Sequence, residues 1–317
     1  MKISAIRHPA AFRHPIAPVK NSYLWPMPPP PLTTIDEVLA QLTQIIAEAE
    51  KTGNRIGYFA ALYYKVTAKV KEGITKNEFE NGPRMERLDV LFASRYLDAL
   101  RTWQQGQTPT QSWKIAFNAT RSSSLLVLQQ LLLGINAHIN LDLGIAAVAA
   151  TQNAQPAATQ NSPAATTRQN GDLDDIQKDF DAINTIIGSL TFEVIHEIDR
   201  VSPLLSLIGL HADNTDSLLI QFSIGNARDG AWCFAEELSK KSGSDYTACI
   251  DARDKDIAKL ATTLIKAPGL IGLTLWIIHL FEWKSTGKII GILNGYKKQF
   301  IKAAALKLLI LILACWS

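Results

Sequence analysis

Apolar residues recur at steps of three and four along most of the chain. Val38, Leu39, Leu42, Ile45 and Ile46 form one such stripe, and Leu88, Leu91, Phe92 and Ala99 form another. That period places the apolar positions on one face of an α-helix, whereas the strict alternation that marks strands is weak throughout. The first helix has a local start signal, because Thr34 followed three residues later by Glu37 has the form of a capping box. Further helices are predicted at about 54–72, 83–104, 121–149, 172–199, 215–240, 253–266 and 269–283. The expected fold is therefore all-α, a single multi-helix domain of about eight helices spanning residues 33–292. Residues 1–32, ending in "WPMPPPP", read as a Pro-rich flexible arm. Residues 150–171, "ATQNAQPAATQNSPAATTRQN", read as a low-complexity loop inside the domain, and 293–317 as an apolar C-terminal tail.

Polar residues that interrupt apolar faces mark the candidate chemistry. In "LLLGINAHINLDLG" (131–144), His138 and Asp142 lie four residues apart and share a helix face, while Asn136 and Asn140 form a second such pair on nearly the opposite side. Apolar residues surround both pairs, so this segment is expected to be a buried central helix. Burying such groups is costly unless they are paired or used. Arg228 falls between Ile224, Trp232 and Ala235. A guanidinium stays charged, so a carboxylate partner is expected, with Asp142 and Asp89 as candidates. Asp89 lies near Met85, Phe92 and Tyr96, Arg95 continues the Leu88–Leu91–Phe92 stripe, and Asn184 sits beside Phe180, Ile183 and Ile187.

Three readings account for this set. The first is a buried hydrogen-bond network that fixes helix packing. The second is a divalent metal site with His138 and Asp142 as ligands, although a zinc site needs three or four. In the third, His138 carries protons in a metal-free reaction, oriented by Asp142, and Arg228 holds an anionic substrate group. "FEVIHEID" contains one ExxH, Glu193 and His196, but a di-iron bundle needs two, and His196 reads better as a surface residue. Tyr58, Phe59, Tyr63 and Tyr64 either pack the core or line a ligand pocket. Dinucleotide, P-loop and serine-hydrolase motifs are absent.

Composition narrows the partners. A formal charge of +3, from 32 basic and 29 acidic residues, makes no case for nucleic acid. Three scattered cysteines fit neither a disulfide framework nor a metal knuckle, and no apolar run near the start resembles a signal peptide, so a cytoplasmic location is expected. "APGLIGLTLWIIHLF" (267–281) reads as a buried helix. "AAALKLLILILACW" (303–316) is shorter than a bilayer span and suits core packing, homo-oligomer contact or a peripheral membrane contact.

Five blocks in order, "YFAALYYKVTAKV" (58–70), "MERLDVLFASRYLDAL" (85–100), "LLLGINAHINLDLGIA" (131–146), "DFDAIN" (179–184) and "ARDGAW" (227–232), resemble a family of bacterial helical proteins classed as a domain of unknown function. The resemblance spans roughly residues 35–290. It implies a shared central site containing Asp89, Arg95, His138, Asn140, Asp142, Asn184, Arg228 and Trp232, and it implies no activity. A looser similarity links the HxxxD helix to helical zinc-dependent phospholipase C and nuclease folds, which use many more histidines. Two function classes follow. One is a metal-dependent or acid–base hydrolase built on His138, Asp142 and Arg228. The other is a non-catalytic helical module that binds an apolar ligand or a protein partner, with the polar cluster structural.

Overall fold

In the computed structural model, which describes residues 31–151, 173–211, 224–266 and 269–295, every regular element is helical. We label eleven α-helices: α1 (Ile35–Thr52), α2 (Ile56–Thr75), α3 (Gly82–Gln104), α4 (Gln111–Ala119), α5 (Val127–Ala137), α6 (Leu143–Thr151), α7 (Asp174–Val201), α8 (Ile224–Ser239), α9 (Gly243–Ile265), α10 (Gly269–Phe281) and α11 (Thr286–Leu293). A π-helical turn, His138–Asp142, joins α5 to α6, and a 3₁₀ segment covers Leu205–His211. The expected Pro-rich arm, nearly all of the loop 150–171 and the segment 303–316 lie outside the described residues.

The count exceeds the eight expected because two short stretches are helical and the π turn divides the predicted helix 121–149 into α5 and α6. Helices α4 and α11 span only nine and eight residues. Helix α9 begins ten residues before the predicted start, over a stretch that is largely exposed. The capping box at Thr34 is present in full: its hydroxyl accepts from the Glu37 N–H, and the Glu37 carboxylate accepts from the Thr34 N–H. Gly53 then ends α1 with φ +68°, a left-handed conformation that glycine adopts freely. Other caps come from far along the chain. Asp254 on α9 accepts from the backbone N–H groups of Gln111 and Ser112 at the start of α4, and buried Glu282 accepts from the Val127 N–H at the start of α5.

Val127–Thr151 forms one apolar helical rod through the π turn. It is the only unbroken described helix long and apolar enough to cross a membrane, yet most of it is buried within the protein. In α6 every residue from Leu143 to Val148 is buried, as an all-round apolar helix requires. Two glycines set how closely neighbours approach. A Cβ at Gly134 would lie 2.4 Å from the Phe59 ring, and one at Gly144 would lie 2.6 Å from Phe234 and 2.9 Å from the Ala231 carbonyl. Helices α2, α3 and α8 therefore close directly on the rod, α3 and α8 against α6 and α2 against α5. The α10 segment departs from expectation. Leu275 and Ile278 are buried, but Leu270, Leu273, Trp276, Leu280 and Phe281 are exposed.

Candidate functional site

The π turn places the central polar pair. The Leu143 N–H reaches back five residues to the His138 carbonyl, so the helix widens there by one residue. Such turns recur at functional sites. Arg253 on α9 anchors the widened backbone, its Nε donating to the Asn140 carbonyl at 3.0 Å and its Nη2 to the Gly230 carbonyl at 3.2 Å.

Asp142 is fully buried and spends both oxygens. Oδ1 accepts from Arg95 Nε at 3.2 Å, and Oδ2 accepts from Trp113 Nε1 at 2.7 Å and lies 3.2 Å from His138 Nδ1. The His138 ring lies flat on Phe92, with centroids 3.6 Å apart, and meets the edge of Tyr63 at 4.5 Å. Phe59, Tyr96 and Trp113 complete an aromatic cage. Burial lowers the His138 pKa, outweighing the bond to Asp142, so the imidazole is neutral at neutral pH. Its Nε2 is buried and has no hydrogen-bond partner among the described residues.

The remaining sequence candidates divide into separate groups. Asn140 Nδ2 donates to Asn136 Oδ1 at 2.9 Å, and Asn136 Nδ2 donates to the Ile257 carbonyl at 3.1 Å, so this pair bolts the rod to α9. Arg228 departs from expectation. Neither Asp142 nor Asp89 pairs with it; the Asp142 oxygens go to Arg95, Trp113 and His138 instead. Arg228 Nε donates to Asn184 Oδ1 and Nη2 to the Phe180 carbonyl, with the guanidinium 4.3 Å over the Phe180 ring. Asn184 is exposed rather than buried. Trp232 packs on Phe180 and donates to Glu236, and among the described residues it makes no hydrogen bond or ring contact with the His138 pair. Asp89 is buried with Oδ2 unpartnered among the described residues, and burial pushes its pKa up to about 8, with Glu86 adding to the effect.

His138, Asp89 and Arg228 nevertheless meet along one cavity of about 220 Å³. Its walls are α2, α3, the α5–α6 rod and α7, and apart from these three residues and Tyr63 the lining is aliphatic, phenylalanine or methionine. Phe59 and Tyr63 line it as one sequence reading allowed, whereas Tyr58 and Tyr64 belong to neighbouring core clusters. Burial raises the Tyr63 pKa well above its ordinary value, and the Asp89 charge adds to that. Burial also lowers the Arg228 pKa to about 10, which leaves it charged at neutral pH. No serine, threonine or cysteine stands among the described lining residues.

The donor set lends the metal reading no support. Divalent cations favour free carboxylate oxygens, and those of Asp142 are held by a guanidinium and an indole N–H. Among the described residues no third His, Cys, Asp or Glu joins the pair. Nor does the ExxH supply ligands. Glu193 pairs with buried Lys65 at 3.1 Å, beside Glu197, and His196 is exposed as expected.

Several residues escaped the sequence reading. Trp113 lies on the unpredicted α4, although Trp113, Ala116 and Phe117 at steps of three and four would have revealed it. Arg253 and Asp254 act on segments over a hundred residues away, and no local pattern announces that. No curated protein and no solved structure matches this chain. Residues 35–267, most of the chain, match one family, and the protein therefore belongs to a family of unknown function (DUF5995).

Proposed function

We propose that the chain is a non-catalytic helical module that binds an apolar ligand in the cavity between α2, α3, the α5–α6 rod and α7. The observation that carries this reading is the lining itself. Leu62, Val66, Leu131, Ile135, Ile187 and Leu190 present continuous apolar surface around about 220 Å³ of space. Well-folded interiors leave few voids larger than a water molecule, and ligand pockets are typically apolar with a few placed polar groups. On this reading the Asp142 network is scaffolding that holds the rod and the aromatic cage in place.

One observation favours a second reading, acid–base hydrolysis. His138 is oriented by Asp142 through Nδ1 and keeps Nε2 unspent beside the cavity. The experiment that tests the first reading also reads the second. The neutral fluorescent probe N-phenyl-1-naphthylamine is titrated into the full-length protein and into Ile187→Trp, which fills the middle of the cavity from a half-buried position. Saturable binding that weakens at least tenfold in the variant is expected. Absence of probe binding to the parent overturns the proposal. Turnover of a long-chain acyl ester that disappears in His138→Gln would replace binding with hydrolysis.

A further inference from the structure

The cavity is long rather than round. Along α7 its wall is Ile183, Ile187, Leu190, Val194 and Ile198, one face of the helix sustained through a rise of fifteen residues. At about 1.5 Å per residue that is roughly 22 Å. The rod runs antiparallel to it. Leu143 packs with Phe180 and Ala231 at one end, while Leu128 packs in the same cluster as Val194 and Ile198 near the other. Leu128, Leu131, Leu132, Ile135, Ile139 and Leu143 thus form a second apolar wall of matching length. A space so long and of such small volume has the width of one chain.

Its two ends differ in chemistry. At the Leu143 end lies Arg228, only 2% exposed, with no carboxylate at ion-pairing distance among the described residues. Asn184 occupies Nε and the Phe180 carbonyl takes one Nη2 hydrogen, while Asp181 and Asp229 act on its charge only from farther off. Buried charges in proteins are usually paired. The other end is aliphatic, and Ile195, 48% exposed, forms part of its rim.

Resting on the apolar-ligand reading above, we infer that the ligand is a single-chain amphiphile with a compact anionic head, the head seated at Arg228 and the chain lying along α7 toward Ile195. The guanidinium offers a planar set of donors that suits a carboxylate or a phosphate. Both heads share this chemistry, as a free fatty acid or as a single-chain phosphate ester.

The test is displacement of N-phenyl-1-naphthylamine from the full-length protein by palmitate, hexadecyl phosphate, hexadecanol and hexadecyltrimethylammonium, each below its micellar concentration. One of the anions should displace the probe at least tenfold more tightly than hexadecanol, with the cation weakest. The better anion identifies the head as carboxylate or phosphate. In Arg228→Met the preference should vanish while probe binding persists, and Arg228→Lys should keep part of it. If hexadecanol equals both anions in the parent while the probe still binds, the head-group assignment falls and the apolar cavity stands. If the probe itself does not bind, both fall. Should Arg228→Met fail to fold, the ranking in the parent decides.

Discussion

Asp142 makes three polar contacts from one fully buried side chain, and two of the groups it serves, Trp113 Nε1 and the His138 ring, are buried with it. Asp142→Ala leaves those donors without an acceptor at about 1–3 kcal/mol each. The Arg95 side chain is 37% exposed, so solvent compensates its lost partner and little is added. The expected loss is about 2–6 kcal/mol by urea denaturation, with Asp142→Asn losing less because the amide oxygen still accepts from Trp113. An Asp142→Ala midpoint equal to that of the parent would contradict the network. At this scale the sequence was partly legible. The four-residue spacing correctly joined His138 to Asp142 and Asn136 to Asn140, because helix periodicity alone decides such pairs. It misjudged Arg228. Choosing among Asp89, Asp142 and no carboxylate depends on which helices touch, and spacing within one helix does not contain that.

The elements follow the same division. Long amphipathic helices were readable, since their buried stripes repeat over several turns. Helices α4 and α11 were not, being short, and the cap of α4 comes from Asp254 on α9. The π turn has no signature in the local pattern either, since one extra residue merely shifts the apolar phase. It becomes visible through what surrounds it: Arg253 on a backbone carbonyl, and α8 pressed against Gly144. Gly144→Ala tests that closeness. The added methyl meets the Ala231 backbone as well as the Phe234 ring, so α8 must shift, and overpacking of this kind costs about 1–3 kcal/mol. Despite alanine's higher helix propensity, the variant should melt below the parent. A higher melting temperature would show that α8 yields at no cost.

Over the whole molecule, buried titratable groups make stability depend on pH with opposing signs. Asp89 titrates near 3.8 when unfolded and at about 8 when folded. The native state therefore holds a proton that the unfolded chain has released. Its contribution to stability is full below 3.8 and is lost as pH rises to about 8, at up to about 1.4 kcal/mol per pH unit. His138 works the other way. Its lowered pKa means that the unfolded chain takes up a proton first, so stability falls as pH drops below 6.5. Asp89→Asn, which cannot titrate, should hold its urea midpoint better than the parent between pH 6.5 and 8, and parallel profiles would show that Asp89 is ionised in the native protein. The cavity carries a different consequence. Its lining begins at Phe59 and ends at Arg228, so it exists only when segments spread over most of the described chain are assembled. Mass action then makes any occupant a folding cofactor: at a hundred times its Kd it adds about 2.7 kcal/mol to the entire fold. The occupant would set how long each molecule survives as much as what it does.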